Sequence, residues 1–106
     1  MAELEKKVAK NSLELTIFRL EFNIYRAKNA WNVWNLRETT EHLQTFENIF
    51  NATIWPDEVK TTVQDVKEAV RALKKYVEEK DGTYGYASYR ELEHLFNGLK
   101  ETINQY

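Results

Sequence analysis

Few residues in this chain have types that do chemistry on their own. Among 106 residues there are two histidines and no cysteine. Thiolate nucleophiles, disulfides and cysteine-ligated zinc or iron–sulfur centres are therefore excluded. His94 closes the stretch Glu91-Leu92-Glu93-His94, and one Glu-x-x-His is half of what a di-iron helical protein uses. No second Glu-x-x-His is present, and on a helix Glu91 and His94 turn away from the Leu92, Phe96 and Leu99 face. The sequence predicts no metal centre. It also lacks a glycine-rich phosphate loop, a dinucleotide fingerprint and a nucleophile in a recognisable setting, so no cofactor is expected and no catalytic residue is assigned. Glu14 and Glu21, seven residues apart on one helix, read as carboxylates that flank an interface and face Arg or Lys.

The other histidine lies in Arg37-Glu38-Thr39-Thr40-Glu41-His42. This arginine-to-histidine spacing resembles the active-site motif of HEPN ribonucleases, which are all-helical and usually dimeric. The resemblance covers these six residues and implies RNA cleavage by Arg37 and His42 across a dimer cleft. Glu38 stands where that family tends to carry Asn or another small polar residue. On one regular helix, residues five apart project about 140° from each other, so the pair meets only if Arg37 sits in a cap or comes from a second subunit. Set beside Phe46 and Ile49, His42 also reads as a half-buried structural histidine.

Lys60, Lys67, Arg71 and Lys74 share one side of the third predicted helix, a strip that fits an acidic partner or a nucleic-acid backbone. Glu78 closes the strip, and Asp65, Glu68 and Glu79 neighbour it. With 15 basic and 17 acidic residues and a net charge of −2, nothing drives the chain toward polyanions, so nucleic acid is the disfavoured partner. The N-terminus has no signal-like apolar run, and no stretch of about 18 apolar residues occurs. The expected location is the cytoplasm, without membrane association.

These residues must be positioned by helices. Three Gly and one Pro leave little turn punctuation, and 42% hydrophobic residues support one packed domain over residues 1–106. Helices are predicted over about 3–31, 36–51, 57–80 and 88–105. The first breaks in the Asn-rich stretch near Asn29, Asn32 and Asn35, with Asn35 and Glu38 as a cap pair. Pro56 opens the third, with Ile54 and Val59 as a staple across its start, and Gly82 ends it in a left-handed cap. Ser88 and Glu91 form a capping box for the fourth, whose face runs Tyr89, Leu92, Phe96, Leu99, Ile103 and Tyr106. Short connections make neighbours antiparallel, so the expected fold is all-α: a four-helix antiparallel up-down bundle with a long first helix. Trp31, Trp34, Tyr84 and Tyr86 are predicted to gather at one end, as a packed cap or as a binding hot spot.

The first helix stands apart because it is apolar on two sides. One stripe is Leu4, Val8, Leu15, Phe18, Phe22 and Tyr25; the other is Leu13, Ile17, Leu20, Ile24, Trp31 and Trp34. Their centres lie about 180° apart at about 100° per residue. A bundle covers one stripe, and the leftover one is predicted to meet a second copy or another protein. Leu13, Ile17, Leu20, Ile24, Trp31 and Trp34 are the interface candidates, although the sequence treats the two stripes nearly alike. The expected function is a non-enzymatic interaction module, such as a small helical adaptor, inhibitor or immunity-type protein, that dimerises or docks through this helix. The alternatives are the HEPN-like ribonuclease and a nucleic-acid-binding protein using the basic strip.

Overall fold

The computed structural model describes residues 2–105, with side chains from Asn11 onward. Leu4, Val8 and Tyr106 of the predicted faces lie outside the described side chains. The fold is all-α, with four helices and, among the described residues, no strand: α1 Ala2–Asn32, α2 Leu36–Ala52, α3 Lys60–Glu78 and α4 Gly82–Gln105. Contacts run from α1 to α2, α2 to α3, α3 to α4 and back from α4 to α1. Leu20 and Trp31, Leu43 and Phe46, Val66 and Leu73, and Leu92, Phe96 and Leu99 fill the shared core. None of the helices is long and apolar enough to cross a membrane, among the described residues.

The first break falls where the Asn-rich stretch predicts it. Trp34 takes a left-handed φ of 60°. Its N–H reaches Trp31 O at 3.0 Å and the Asn35 N–H reaches Ala30 O at 2.8 Å, the paired bonds of a Schellman stop. Asn35 then opens α2, its Oδ1 accepting the Glu38 N–H at 3.2 Å. Thr39 is fully buried in α2, its hydroxyl satisfied by Asn35 O at 2.8 Å; it fills the inward position between Leu36 and Leu43.

The later boundaries depart from the sequence reading in three places. Residues Asp57–Val59 form a 3-10 turn ahead of α3 rather than its first α-helical turn. The Ile54–Val59 staple does not form: Ile54 is 92% exposed. Trp55 folds back instead, its ring 4.8 Å from Phe50 and its indole N–H donating to Phe50 O at 3.1 Å. At the end of α3, Lys80 rather than Gly82 adopts the left-handed conformation, with φ 56°. Asp81 N–H reaches Tyr76 O at 2.9 Å and Lys80 N–H reaches Val77 O at 3.1 Å, a second Schellman stop. The helix thus ends two residues early, which frees Asp81 to cap α4. Its carboxylate accepts the Tyr84 N–H at 3.0 Å, and α4 starts at Gly82, six residues before the Ser88 box.

A non-glycine residue held left-handed costs about 1–2 kcal/mol. Lys80→Gly relieves this, less the greater freedom glycine has when unfolded. We expect the variant to be more stable by about 0.5–1 kcal/mol in urea denaturation; a destabilised variant would contradict the Schellman assignment.

Candidate protein-interaction surface

The bundle has chosen between the two stripes of α1. Leu13, Ile17, Leu20, Ile24 and Trp31 are all buried inside the subunit, none more than 8% exposed. The interface assignment that their spacing suggests is corrected accordingly, because α2 and α4 together cover this side of α1. Trp34 is the exception in that set. Half-exposed in its left-handed turn, it lays its ring 4.6 Å from Trp31 and against Gly82.

What remains outside is the opposite stripe: Leu15, Phe18, Phe22 and Tyr25, between 49% and 68% exposed. Four large apolar side chains in consecutive turns form a patch of the kind that marks an interaction site. Covering the exposed half of each is worth about 1–2 kcal/mol before the costs of association. Beside the stripe toward α4, Glu21 pairs with Lys100 at 2.8 Å and Lys28 with Glu93 at 3.0 Å. On its other side Arg19 and Asn23 share a shallow groove with Thr45 and Ile49 of α2. The Arg26 guanidinium lies 5.0 Å above the Phe22 ring, a cation–π contact.

The aromatic end of the bundle is a packed cap. Trp31 is surrounded by Trp34, Tyr86 and Tyr89, with ring centroids at 4.6, 6.2 and 6.5 Å. Gly85 passes so close that a Cβ there would lie 2.6 Å from the Trp31 ring. The Tyr86 hydroxyl donates to Asn32 Oδ1 at 3.0 Å. Tyr84, predicted to join this group, stacks on Tyr76 instead, at 5.6 Å. Trp31 Nε1 and the Tyr89 hydroxyl are buried without hydrogen-bond partners among the described residues.

Burial first, then the Glu93 carboxylate and Tyr86, pushes the Tyr89 phenol well above its ordinary value of 10.0. A raised acid contributes stability that is complete below the unfolded value and is lost as pH climbs past it. Stability should therefore fall above about pH 10, and Tyr89→Phe should fall less steeply. At neutral pH, deleting an unsatisfied hydroxyl should raise the unfolding free energy by about 1 kcal/mol. Parallel denaturation curves at pH 7 and pH 11 check both; a Tyr89→Phe protein weakened at pH 7 would show that the hydroxyl is satisfied.

The remaining candidates do not converge into a site within the subunit. Arg37 lies in the first turn of α2, highly exposed, with its Nε donating to Glu41 Oε1 at 3.2 Å. His42 is half-buried on the same regular helix, so the two project about 140° apart. In the basic strip, Lys74 is turned onto α2, its Nζ 2.9 Å from Gln44 Oε1 and 3.3 Å from Glu47 Oε1. Lys67 and Arg71 border a small cleft that also contains Glu47, while Lys60 stands exposed at the start of α3. Glu91 and His94 are exposed on α4, and the described residues include no group of three or more His, Cys, Asp or Glu able to hold a metal ion.

The charges beside the outer stripe are visible in the sequence, but not that this stripe is the outer one. Only the loss of the opposite face to α2 and α4 decides that. Compared with known proteins, the chain matches no family model, no curated protein and no solved structure.

Proposed function

We propose that this chain is a non-enzymatic protein-interaction module that associates through the outer stripe of α1. In this reading the scaffold is an up-down bundle with antiparallel neighbours. The Lys28–Glu93 and Glu21–Lys100 pairs support it, since seven residues down α1 match seven residues up α4. Such a scaffold holds α1 rigid and spends one face of it on the core, which leaves the second for a partner. The observation that carries the reading is the exposed row of Leu15, Phe18, Phe22 and Tyr25. The chain then belongs with small adaptors, inhibitors or immunity-type proteins in its mode of action, which is occupation of another protein's surface.

The test is a pair of charges placed on the stripe. Phe18→Glu with Phe22→Glu should abolish association, read as mass by light scattering, while the helical circular dichroism spectrum stays that of the wild type. Association that survives both substitutions would remove the stripe from the function.

A further inference from the structure

The outer stripe repeats every seven residues. Leu15, Phe18, Phe22 and Tyr25 alternate three and four residues apart, and Asn11 and Asn29 continue the spacing at either end. All six are exposed. A seven-residue repeat is the spacing a coiled-coil seam requires. The buried face of the same helix, Leu13, Ile17, Leu20, Ile24, Ala27 and Trp31, keeps it as well, so the spacing permits a two-stranded seam and the flanking charges select it. Leu15, Phe22 and Asn29 take one seam position and Asn11, Phe18 and Tyr25 the other. An isolated Asn in such a seam is a device that fixes register and strand number.

The charges beside the seam specify how a second copy would lie. Glu14 and Glu21 flank it on the α4 side, and Lys28 on that side is already held by Glu93 at 3.0 Å. Arg19 and Arg26 flank it on the α2 side. A second copy running antiparallel would set arginine flank against arginine flank and glutamate flank against glutamate flank. A parallel copy in register sets the acidic flank against the basic flank on both sides of a two-fold axis. Glu14 then faces Arg19 of the partner subunit, and Glu21 faces Arg26 of the partner subunit, the spacing that selects partners in two-stranded coils. The Glu21 carboxylate accepts Lys100 at 2.8 Å and retains acceptor sites for a second donor.

We infer that the occupant of the outer stripe is a second copy of this chain, with α1 pairing to α1 as a parallel, in-register two-stranded coil. This rests on the interaction reading above and names its partner. Leu15, Phe18, Phe22 and Tyr25 each meet their own counterpart across the axis, and the four Glu–Arg pairs close both edges.

The chain has no cysteine, so one introduced thiol reports the pairing. Tyr25→Cys and Leu15→Cys replace exposed side chains and are each expected to form a disulfide-linked dimer under oxidised glutathione, seen on a non-reducing gel. In an antiparallel pairing centred on the stripe, Leu15 lies opposite Tyr25. Linkage only in a mixture of the two variants would then overturn the parallel arrangement while leaving the stripe as the contact. No linkage, together with a single-chain mass, would overturn the second copy as occupant. A dimer whose mass is unaffected by Phe18→Glu with Phe22→Glu would overturn the interaction reading itself. As a second readout, Glu14→Arg with Glu21→Arg makes both flanks basic and should weaken the dimer roughly tenfold or more at low salt. An unchanged dissociation constant would contradict the charge register.

Discussion

Trp31→Ala should lower the unfolding free energy by about 3–5 kcal/mol, the range for removing a fully buried large aromatic. For a domain of this size that is a large share of a total of about 5–15 kcal/mol. Trp31 has no exposed surface and stands where the last turn of α1 meets the first turns of α4, inside the ring cluster of Trp34, Tyr86 and Tyr89. Removing it leaves a cavity that Gly85 has no side chain to fill. The unpartnered indole N–H reduces what Trp31 contributes, so Trp31→Phe should be milder than the alanine variant.

Gly85→Ala attacks the same contact from the other side. Its Cβ would lie 2.6 Å from the indole, and overpacking of this kind typically costs about 1–3 kcal/mol. The two sites should be coupled, with Gly85→Ala costing less in a Trp31→Phe background than in the wild type. Urea denaturation of the four proteins measures this cycle. Additive effects, or a Trp31→Ala cost below about 1 kcal/mol, would mean that this junction does not hold α1 to α4.

The second large effect separates folding from association. Phe18→Glu with Phe22→Glu should leave the stability of the isolated chain within about 0.5 kcal/mol of the wild type, the usual range for surface positions. Phe18 and Phe22 are 68% and 49% exposed, so little core contact is lost. The cation–π contact of Arg26 with Phe22 disappears, but the new carboxylate lies four residues before Arg26, where an ion pair offsets part of it. The same charges on the buried stripe behave oppositely. Ile17→Glu or Ile24→Glu puts an unpaired carboxylate into the core and should unfold the chain. A protein that tolerates Ile17→Glu but unfolds with Phe18→Glu would reverse the assignment of the two faces. Thermal melts read by circular dichroism distinguish these outcomes.

Much of the helical layout was legible because local chemistry set it. Asn35 had the residue type and spacing of a cap, and it caps; Val63, Val66, Val70 and Val77, spaced along one face of α3, and the Leu92–Phe96–Leu99 face of α4 are buried as their periodicity requires. The misses share a cause, which is that tertiary contact outranked a local signal. Gly82 was the natural left-handed residue, yet the chain stops at Lys80. Ending there lets Asp81 cap α4 and brings Gly82 and Gly85 under the rings of Trp34 and Trp31. The Ser88–Glu91 box was overridden in the same way, since a helix already running through it needs no second start. Ile54 makes no staple with Val59 because the chain between α2 and α3 turns its neighbour Trp55 inward, onto Phe50, and leaves Ile54 outside.

The candidate surface was half legible. Two stripes on α1 could be read from spacing, as could the Glu14 and Glu21 flank. Which stripe faces the core could not, because each carries a comparable row of apolar side chains. The choice is made by what α2 and α4 present to them, Leu43, Phe46, Phe96 and Leu99 in the core cluster with Leu20 and Ile24.

That a second copy of this chain covers the outer stripe of α1 is decided by the solution mass. Light scattering on the wild-type chain and on Phe18→Glu with Phe22→Glu, over a hundredfold range of concentration, is the measurement. The expected masses are twice the chain mass of 12.6 kDa for the wild type and a single chain for the variant. A single-chain mass for both at every concentration would contradict the pairing of α1 with a second copy.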